Sequence, residues 1–178
     1  PAGEGWHLMA EGGQELDDLK RLAELASLPL TGEETRLALD AITAKTALEF
    51  GVPISLVSIV LDSAQFFAGA TGLGGWLAET RGTPVEWAFC SNVVKGADPF
   101  LVEDATSDER VSSNPLVTQD GIRCYLGVPL HTSQGNRLGS LCVIGTAPRK
   151  FSQAEVERLR ELALEVVVVL ERTSASDA

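Results

Sequence analysis

Ile122-Arg-Cys-Tyr-Leu-Gly-Val-Pro-Leu130 alternates, and the hairpin that it opens sets the fold. Ile122, Cys124, Leu126, Val128 and Leu130 point one way; Arg123, Tyr125, Gly127, Pro129 and His131 point the other. Ser133-Gln-Gly-Asn136 is a turn, and Arg137 to Ile144 returns as a second strand. Upstream, Ile54-Ser-Leu-Val-Ser-Ile-Val-Leu61 is β-branched and apolar and reads as a central strand. Asp62-Ser63 turns the chain, and Gln65-Phe-Phe-Ala-Gly-Ala-Thr71 reads as its return. Two hairpins predict an antiparallel sheet.

Helical periodicity flanks the hairpins. Leu16, Leu19, Leu22, Ala23, Leu25 and Ala26 predict one face of a helix over 16–29, ended by Pro29. Thr31-Gly-Glu-Glu34 reads as a capping box opening a second helix to about Phe50, with Leu37, Ala41, Ala44 and Leu48 on one face and Gly51 as its stop. Ser152-Gln-Ala-Glu155 is a second capping box, with Phe151 and Val156 placed for a hydrophobic staple. Val156, Leu159, Ala163, Val166 and Leu170 continue at spacings of a heptad seam. Between the hairpins, 72–84 reads as a surface loop, 85–95 as a short helix, 99–103 as a short strand and 104–120 as a long, partly helical loop. Loops of that length in a compact domain are usually functional. Helices at both ends of an antiparallel sheet define an α+β domain.

Composition narrows the function. With 178 residues there is room for one domain, and 44% apolar with 22% charged residues is globular. A net charge of −11 repels phosphate, so nucleic acid and anionic membrane are excluded as first expectations. No apolar run approaches the roughly 20 residues of a membrane span. No basic, then apolar, leader is visible, although the chain starts at Pro1. Cys90, Cys124 and Cys142 are odd in number and lack CxxC spacing, which fits a reducing cytoplasm. Gly-rich residues 1–15 read as a flexible N-terminal arm.

No metal site is expected, because His7 and His131 lack a ligand spacing. His131 is read as an exposed turn histidine. Gly72-Leu-Gly-Gly75 lacks the Lys-Ser/Thr of a phosphate loop. Cys90 sits in a short helix, where a thiol near the N-terminus can be acidified; Cys124 and Cys142 read as core. Asp104, Asp108, Arg110, Asn114 and Arg123 crowd the long loop and the strand after it. Arg110 and Arg123 either hold an anionic group of a ligand or pair with Asp104 and Asp108 and pin the loop.

These stretches carry a family resemblance. Glu86-Trp-Ala-Phe-Cys-Ser-Asn-Val-Val94 is similar to the "SFC" helix of one branch of GAF domains, found in bacterial sensor histidine kinases and diguanylate cyclases. Pro99-Phe-Leu-Val-Glu-Asp-Ala105, Asp108-Glu-Arg110 and Asn114-Pro-Leu-Val117 resemble that branch's "PLVVxDAxxDxRFxxNPLV". Ile122–Leu130 resembles "IRFYAGxPL", and Gly135–Ile144 resembles "GxxLGTLCVID". Gln65-Phe-Phe67, Gly72-Leu73 and Glu79-Thr80 resemble "WFKxxxGLxxxET".

The resemblance covers about 30–172 and implies a GAF/PAS-like sheet of five or six strands, spanning a domain over 30–173. Terminal helices would lie on one face and a loop-covered pocket on the other. It implies a non-enzymatic sensory or regulatory module that binds a small molecule and dimerises through its terminal helices. The helix residues Leu16, Leu19, Leu22, Val156, Leu159, Ala163, Val166 and Leu170 are the expected dimer contacts. Phe67, Trp87, Phe89, Cys90, Asp104, Arg110, Asn114, Arg123 and Tyr125 are the candidate ligand-binding residues. The cofactor, if any, is unknown. No Cys-His pair for a bilin is present, nor the "NKxxFDE" signature linked to cyclic nucleotides. The cysteine pattern differs from that of the free methionine sulfoxide reductases of this fold. Ala88, Cys124 and Gly145 stand where Ser, Phe and Asp are usual, and the Cys124 change is expected to open interior space. A redox role for Cys90 and a ligand-free dimerisation spacer are the alternatives.

Overall fold

The computed structural model describes residues 14–96 and 99–176, so most of the expected arm, with His7, lies outside the described residues. Among these residues six strands form one antiparallel sheet: β1 (Ile54–Val60), β2 (Ala64–Thr71), β3 (Gly82–Pro84), β4 (Phe100–Val102), β5 (Cys124–His131) and β6 (Arg137–Gly145). Their order across the sheet is β3-β2-β1-β6-β5-β4, with three-residue strands at both edges. Both expected hairpins are present, and β1 pairs with β6 at the centre.

Two apolar layers sandwich the sheet. On one side lie α1 (Leu19–Ser27), α2 (Glu33–Phe50) and the long α6 (Gln153–Ser176), packed on Val57, Ile59, Leu126, Val128, Leu141 and Val143. On the other side lie α4 (Cys90–Gly96), α5 (Pro115–Thr118) and the loop between β4 and β5, packed on Leu56, Val60, Phe67, Tyr125, Cys142 and Ile144. Fully burying a side chain such as Leu39 contributes roughly 1.5–3 kcal/mol.

The terminal helices turn unexpected faces inward. On α2 the buried positions are Thr35, Leu39, Thr43, Thr46, Ala47 and Phe50. The apolar face read from the sequence is outside: Leu37 is 57% and Leu48 86% exposed, and Ala41 and Ala44 are exposed too. The threonines can be buried because their hydroxyls are satisfied locally: Thr46 donates to the Ile42 carbonyl and Thr43 meets Thr71 at 2.8 Å. Gly69 lets α2 close on β2, since a Cβ there would lie 2.6 Å from the Leu39 Cβ. The Thr31 capping box does not form; Gly32 is the N-cap, without a side-chain bond. Gly51 does stop the helix, at φ 64°.

On α1, Leu19 is 81% exposed, whereas Arg21, Glu24 and Leu25 are buried. The Arg21 guanidinium donates to the carbonyls of Val60 and Leu16. Glu24 accepts from Thr132 at 2.7 Å and Asn136 at 2.9 Å. Gln14, expected in a flexible arm, exchanges hydrogen bonds with Asn136 and Arg137. The N-terminal segment is thus clasped to the β5–β6 turn by polar groups, while Leu22 and Leu25 pack on the core. Its first turn is non-helical at Leu16, and Asp18 caps α1 by accepting from the amides of Lys20 and Arg21.

The Ser152–Glu155 capping box forms in both directions, at 3.0 and 3.1 Å. The heptad seam beyond it is buried in this chain's own core: Val156, Leu159, Ala163, Val166 and Leu170 are all at most 7% exposed. Those five residues are therefore not available to a second chain. Residues 72–84 are not a plain loop, since they hold α3 (Gly75–Thr80) and β3. The expected helix over 85–95 breaks at Ala88, leaving a single 3-10 turn over Val85–Trp87 before α4.

Candidate functional site

The layer opposite the terminal helices encloses a cavity of about 60 Å3. Its floor is strand residues that share one face by alternation: Ile54 and Leu56 of β1, Gln65 and Phe67 of β2, Tyr125 of β5, and Cys142 and Ile144 of β6. Leu56 and Cys142 are register partners, as are Ile54 and Ile144, which fixes them side by side. Phe89 and Cys90 come from the start of α4, Leu116 from α5, and Asp120 and Ile122 from the end of the long loop. Leu73, before α3, and Leu77, within it, complete the lining.

Aromatic packing holds one wall. The Phe89 and Tyr125 rings lie 5.1 Å apart, and Phe100 stands edge-on to both at 6.4 and 5.9 Å. Gly127 leaves room for Tyr125, because a Cβ there would collide with its hydroxyl. A line of buried polar groups crosses the floor. Thr83 meets Gln65 at 2.6 Å, and Gln65 accepts from Ser58 at 2.8 Å. The Ser140 hydroxyl and the Tyr125 hydroxyl each lie 3.0 Å from the Cys90 sulfur. Burial opposes a Cys90 thiolate, but donors from Cys142, Ser140, Tyr125 and Ser58 outweigh it and bring the thiol down to about 6. Burial pushes the Cys142 thiol and the Tyr125 phenol well up. Asp120 accepts from the Trp76 indole at 3.0 Å through Oδ1, while its buried Oδ2 has no protein partner.

Of the nine candidate residues, Phe67, Phe89, Cys90 and Tyr125 line the cavity. The other five build its surroundings. Trp87 packs edge-on against Trp76 at 5.9 Å, and its carbonyl accepts from Asn114, which also caps α5. Arg110 is exposed, bound to Asp108 and lying over the Phe100 ring at 4.5 Å. Its hydrogen bonds hold the Asp108 carboxyl below its ordinary value. Asp104 folds back on Thr106 and its neighbour Ser107 on an outer groove. Arg123 donates to the carbonyls of Val117 and Ile122 at 2.9 Å. Arg110 thus pairs with Asp108, as the pinning reading expects, whereas Arg123 bonds loop carbonyls rather than Asp104.

Cavity residues that sequence reading missed include Gln65, Asp120 and Cys142. Strand alternation paired with the β1–β6 register would have found Cys142, but only once the register was known. Cys124 faces the helix layer instead, where its sulfur sits against Gly145, its register partner. Two of the three departures from the family pattern, Cys124 and Gly145, are therefore neighbours on the side away from the cavity. His131 is exposed at the end of β5.

A six-stranded antiparallel sheet with terminal helices on one face and a loop-enclosed cavity on the other is the architecture of small sensory α+β domains. The chain belongs to the GAF domain family, whose model matches residues 34–170. A cyclic di-GMP phosphodiesterase of Pseudomonas aeruginosa is 36% identical over 149 residues, which is 83% of this chain and 24% of that relative. Among solved structures, the GAF domain of a phosphoenolpyruvate-protein phosphotransferase from Coxiella burnetii superposes with a TM-score of 0.68 at 17% identity, covering 89% of this chain and 95% of that one. The corresponding Acinetobacter domain gives 0.65 at 19%, covering 89% and 96%. A type II free methionine-R-sulfoxide reductase from Thermoplasma acidophilum gives 0.64 at 14%, covering 79% and 95%. Those identities show a shared fold.

Proposed function

We propose that this chain is the sensory, non-enzymatic GAF module of a longer cytoplasmic signalling protein. The observation that carries the reading is the cavity: apolar on most sides, crossed by one polar line, and closed by short elements with little core of their own. α3 contributes no buried residue. It is held by the Trp76–Asp120 bond and the Trp76–Trp87 contact.

The volume makes a mechanism. About 60 Å3 is well below the ~150 Å3 of an engineered cavity that admits benzene. A ring-sized ligand therefore enters only as α3 swings outward. Binding then selects between two α3 positions, which is a population shift. The chemistry of the lining favours a small apolar molecule with one donor for Asp120 Oδ2. None of the described lining residues is Lys or Arg. That argues against an anionic ligand, including the dinucleotide that the Pseudomonas relative is named for.

The test is thermal melting with indole, an apolar ring with one N–H donor, alongside native mass spectrometry of the purified chain. The expected result is a melting temperature that rises with indole in the wild type and not in Leu56→Trp, which fills the cavity. A bare mass, with no shift from indole or other small apolar donors, would favour a ligand-free spacer.

Dimerisation, in this reading, uses the exposed stripe of α2 with Leu164 and Val168 of α6, which are 65% and 51% exposed. A second copy is the occupant this stripe fits, because its apolar positions on α2 repeat at helical spacing and can interdigitate with their own copies. Analytical ultracentrifugation should show a dimer, converted to monomer by Leu48→Glu with Leu164→Glu. A monomer in the wild type at high concentration overturns this part.

A further inference from the structure

Cys90 and Cys142 are both free, fully buried and on the same cavity wall. They come from different elements, the start of α4 and the middle of β6, which lie against each other. Ser140, two residues before Cys142 on the same face of β6, donates to the Cys90 sulfur at 3.0 Å, and Cys142 lines the same cavity beside it. The Ser140 and Tyr125 hydroxyls, each 3.0 Å from the Cys90 sulfur, complete a set of donors around it. A donor-rich, water-poor environment of this kind favours the thiolate, the form that attacks.

The cavity also selects the oxidant. Its volume of about 60 Å3 accommodates a molecule of two heavy atoms but not a glutathione-sized disulfide.

We propose that Cys90 and Cys142 are a peroxide-responsive dithiol that closes to an internal disulfide across the cavity and ties α4 to β6. The Cys90 thiolate attacks one oxygen of hydrogen peroxide, the O–O bond breaks, and the leaving hydroxide becomes water by taking up the proton that Cys90 released on ionising. Cys90 is then a sulfenic acid. Cys142 sulfur attacks that sulfur, the S–O bond breaks, and the departing hydroxide takes the Cys142 proton as a second water. Two thiols and one peroxide become one disulfide and two waters, so two electrons pass from sulfur to oxygen. Tyr125 and Ser140 are placed to hydrogen-bond the departing oxygen. This role stands apart from the small-molecule reading and does not need a bound ligand.

Cys124 supplies an internal control. It is buried on the opposite face of the sheet, and burial raises its thiol.

The experiment treats the full chain with hydrogen peroxide, blocks free thiols under denaturing conditions, and maps the peptides by mass spectrometry. The expected product is one Cys90–Cys142 cross-linked peptide, lighter by two hydrogens, with Cys124 still alkylated. Cys142→Ser should instead accumulate a dimedone-reactive Cys90, and Cys90→Ser should form no cross-link. Quantitative alkylation of Cys90 in the peroxide-treated wild type overturns the proposal. So does oxidation of Cys124 at the same rate, which would mark reaction through unfolding. The wild-type map decides the matter even if a variant fails to fold, and circular dichroism identifies that case.

Discussion

Arg21→Ala tests the clasp of α1 on the sheet. Arg21 is completely buried, and its guanidinium serves the Val60 and Leu16 carbonyls, with Arg137's carbonyl further off at 3.4 Å. Truncation orphans the buried Val60 carbonyl, at about 1–3 kcal/mol, and the part-buried Leu16 carbonyl, at less. It also leaves a void where the side-chain stem packed. Against this stands relief of the burial that disfavours the Arg21 charge, the main reason its proton is held less tightly than usual. The net expectation is a loss of about 2–4 kcal/mol. In a chain of this size that corresponds to a fall in Tm of roughly 4–16 °C. Urea denaturation followed by far-ultraviolet circular dichroism measures the change in free energy, and differential scanning calorimetry the change in Tm. Leu19→Ala is the matched control: Leu19 is 81% exposed, so it should change stability by less than about 0.5 kcal/mol. A loss below about 1 kcal/mol for Arg21→Ala, or a larger loss for Leu19→Ala, would falsify the assignment of the buried face of α1.

On α2, Leu39→Ala should cost about 2–5 kcal/mol and Leu48→Ala almost nothing, since Leu39 is fully buried and Leu48 is 86% exposed; equal effects in urea titrations would show that the helix is rotated. Gly139→Ala should destabilise by more than about 1 kcal/mol, because its Cβ would collide with the Ser58 carbonyl oxygen and push β1 from β6; wild-type stability of this variant would refute the close approach. Several carboxyls have lowered folded values: Asp108 through its hydrogen bond to Arg110, and Glu155 through the Ser152 amide. Their stabilisation is complete above the ordinary values of 3.8 and 4.5 and is lost as pH falls through the lower folded ones. The Tm should therefore drop below about pH 4, after a shallower decline between about pH 7 and 5 as Cys90, brought down to about 6, regains its proton; a Tm flat from about pH 7 to 5 would show that Cys90 is not ionised at neutral pH.

Much of the fold was legible because its signals are local. The alternation of Cys124, Leu126, Val128 and Leu130 needs no distant partner to be read, and neither does the Ser152–Glu155 box. Helix faces were less legible. Apolar spacing pointed at Leu19 and at Leu37 and Leu48, yet the buried positions include Arg21, Glu24, Thr43 and Thr46. These polar residues go inside because carbonyls, hydroxyls and the β5–β6 turn supply partners, most of which lie far away in sequence. The α6 seam was correctly periodic, but periodicity does not say whether the surface it meets belongs to the same chain. The cavity was half legible for a related reason. Phe67, Phe89, Cys90 and Tyr125 were found as chemistry-bearing types, while Cys142 and Asp120 depend on register and on where a loop lands. Arg110, Arg123 and Asp104 lie outside the cavity lining, because their partners, Asp108, loop carbonyls and Thr106, are set by where the loop folds back.

The short edge strands, β3 and β4, bear on how such a domain survives at high local concentration. An open sheet edge is a row of unpaired amides and carbonyls, able to recruit a strand from any neighbour. Here each edge is three residues long, and Pro84 removes one donor from β3. Neither edge is long enough to template an extended ladder. Chains held side by side in a larger assembly are thus guarded against merging their sheets into a runaway aggregate, and self-association is left to surfaces whose strength side chains can tune.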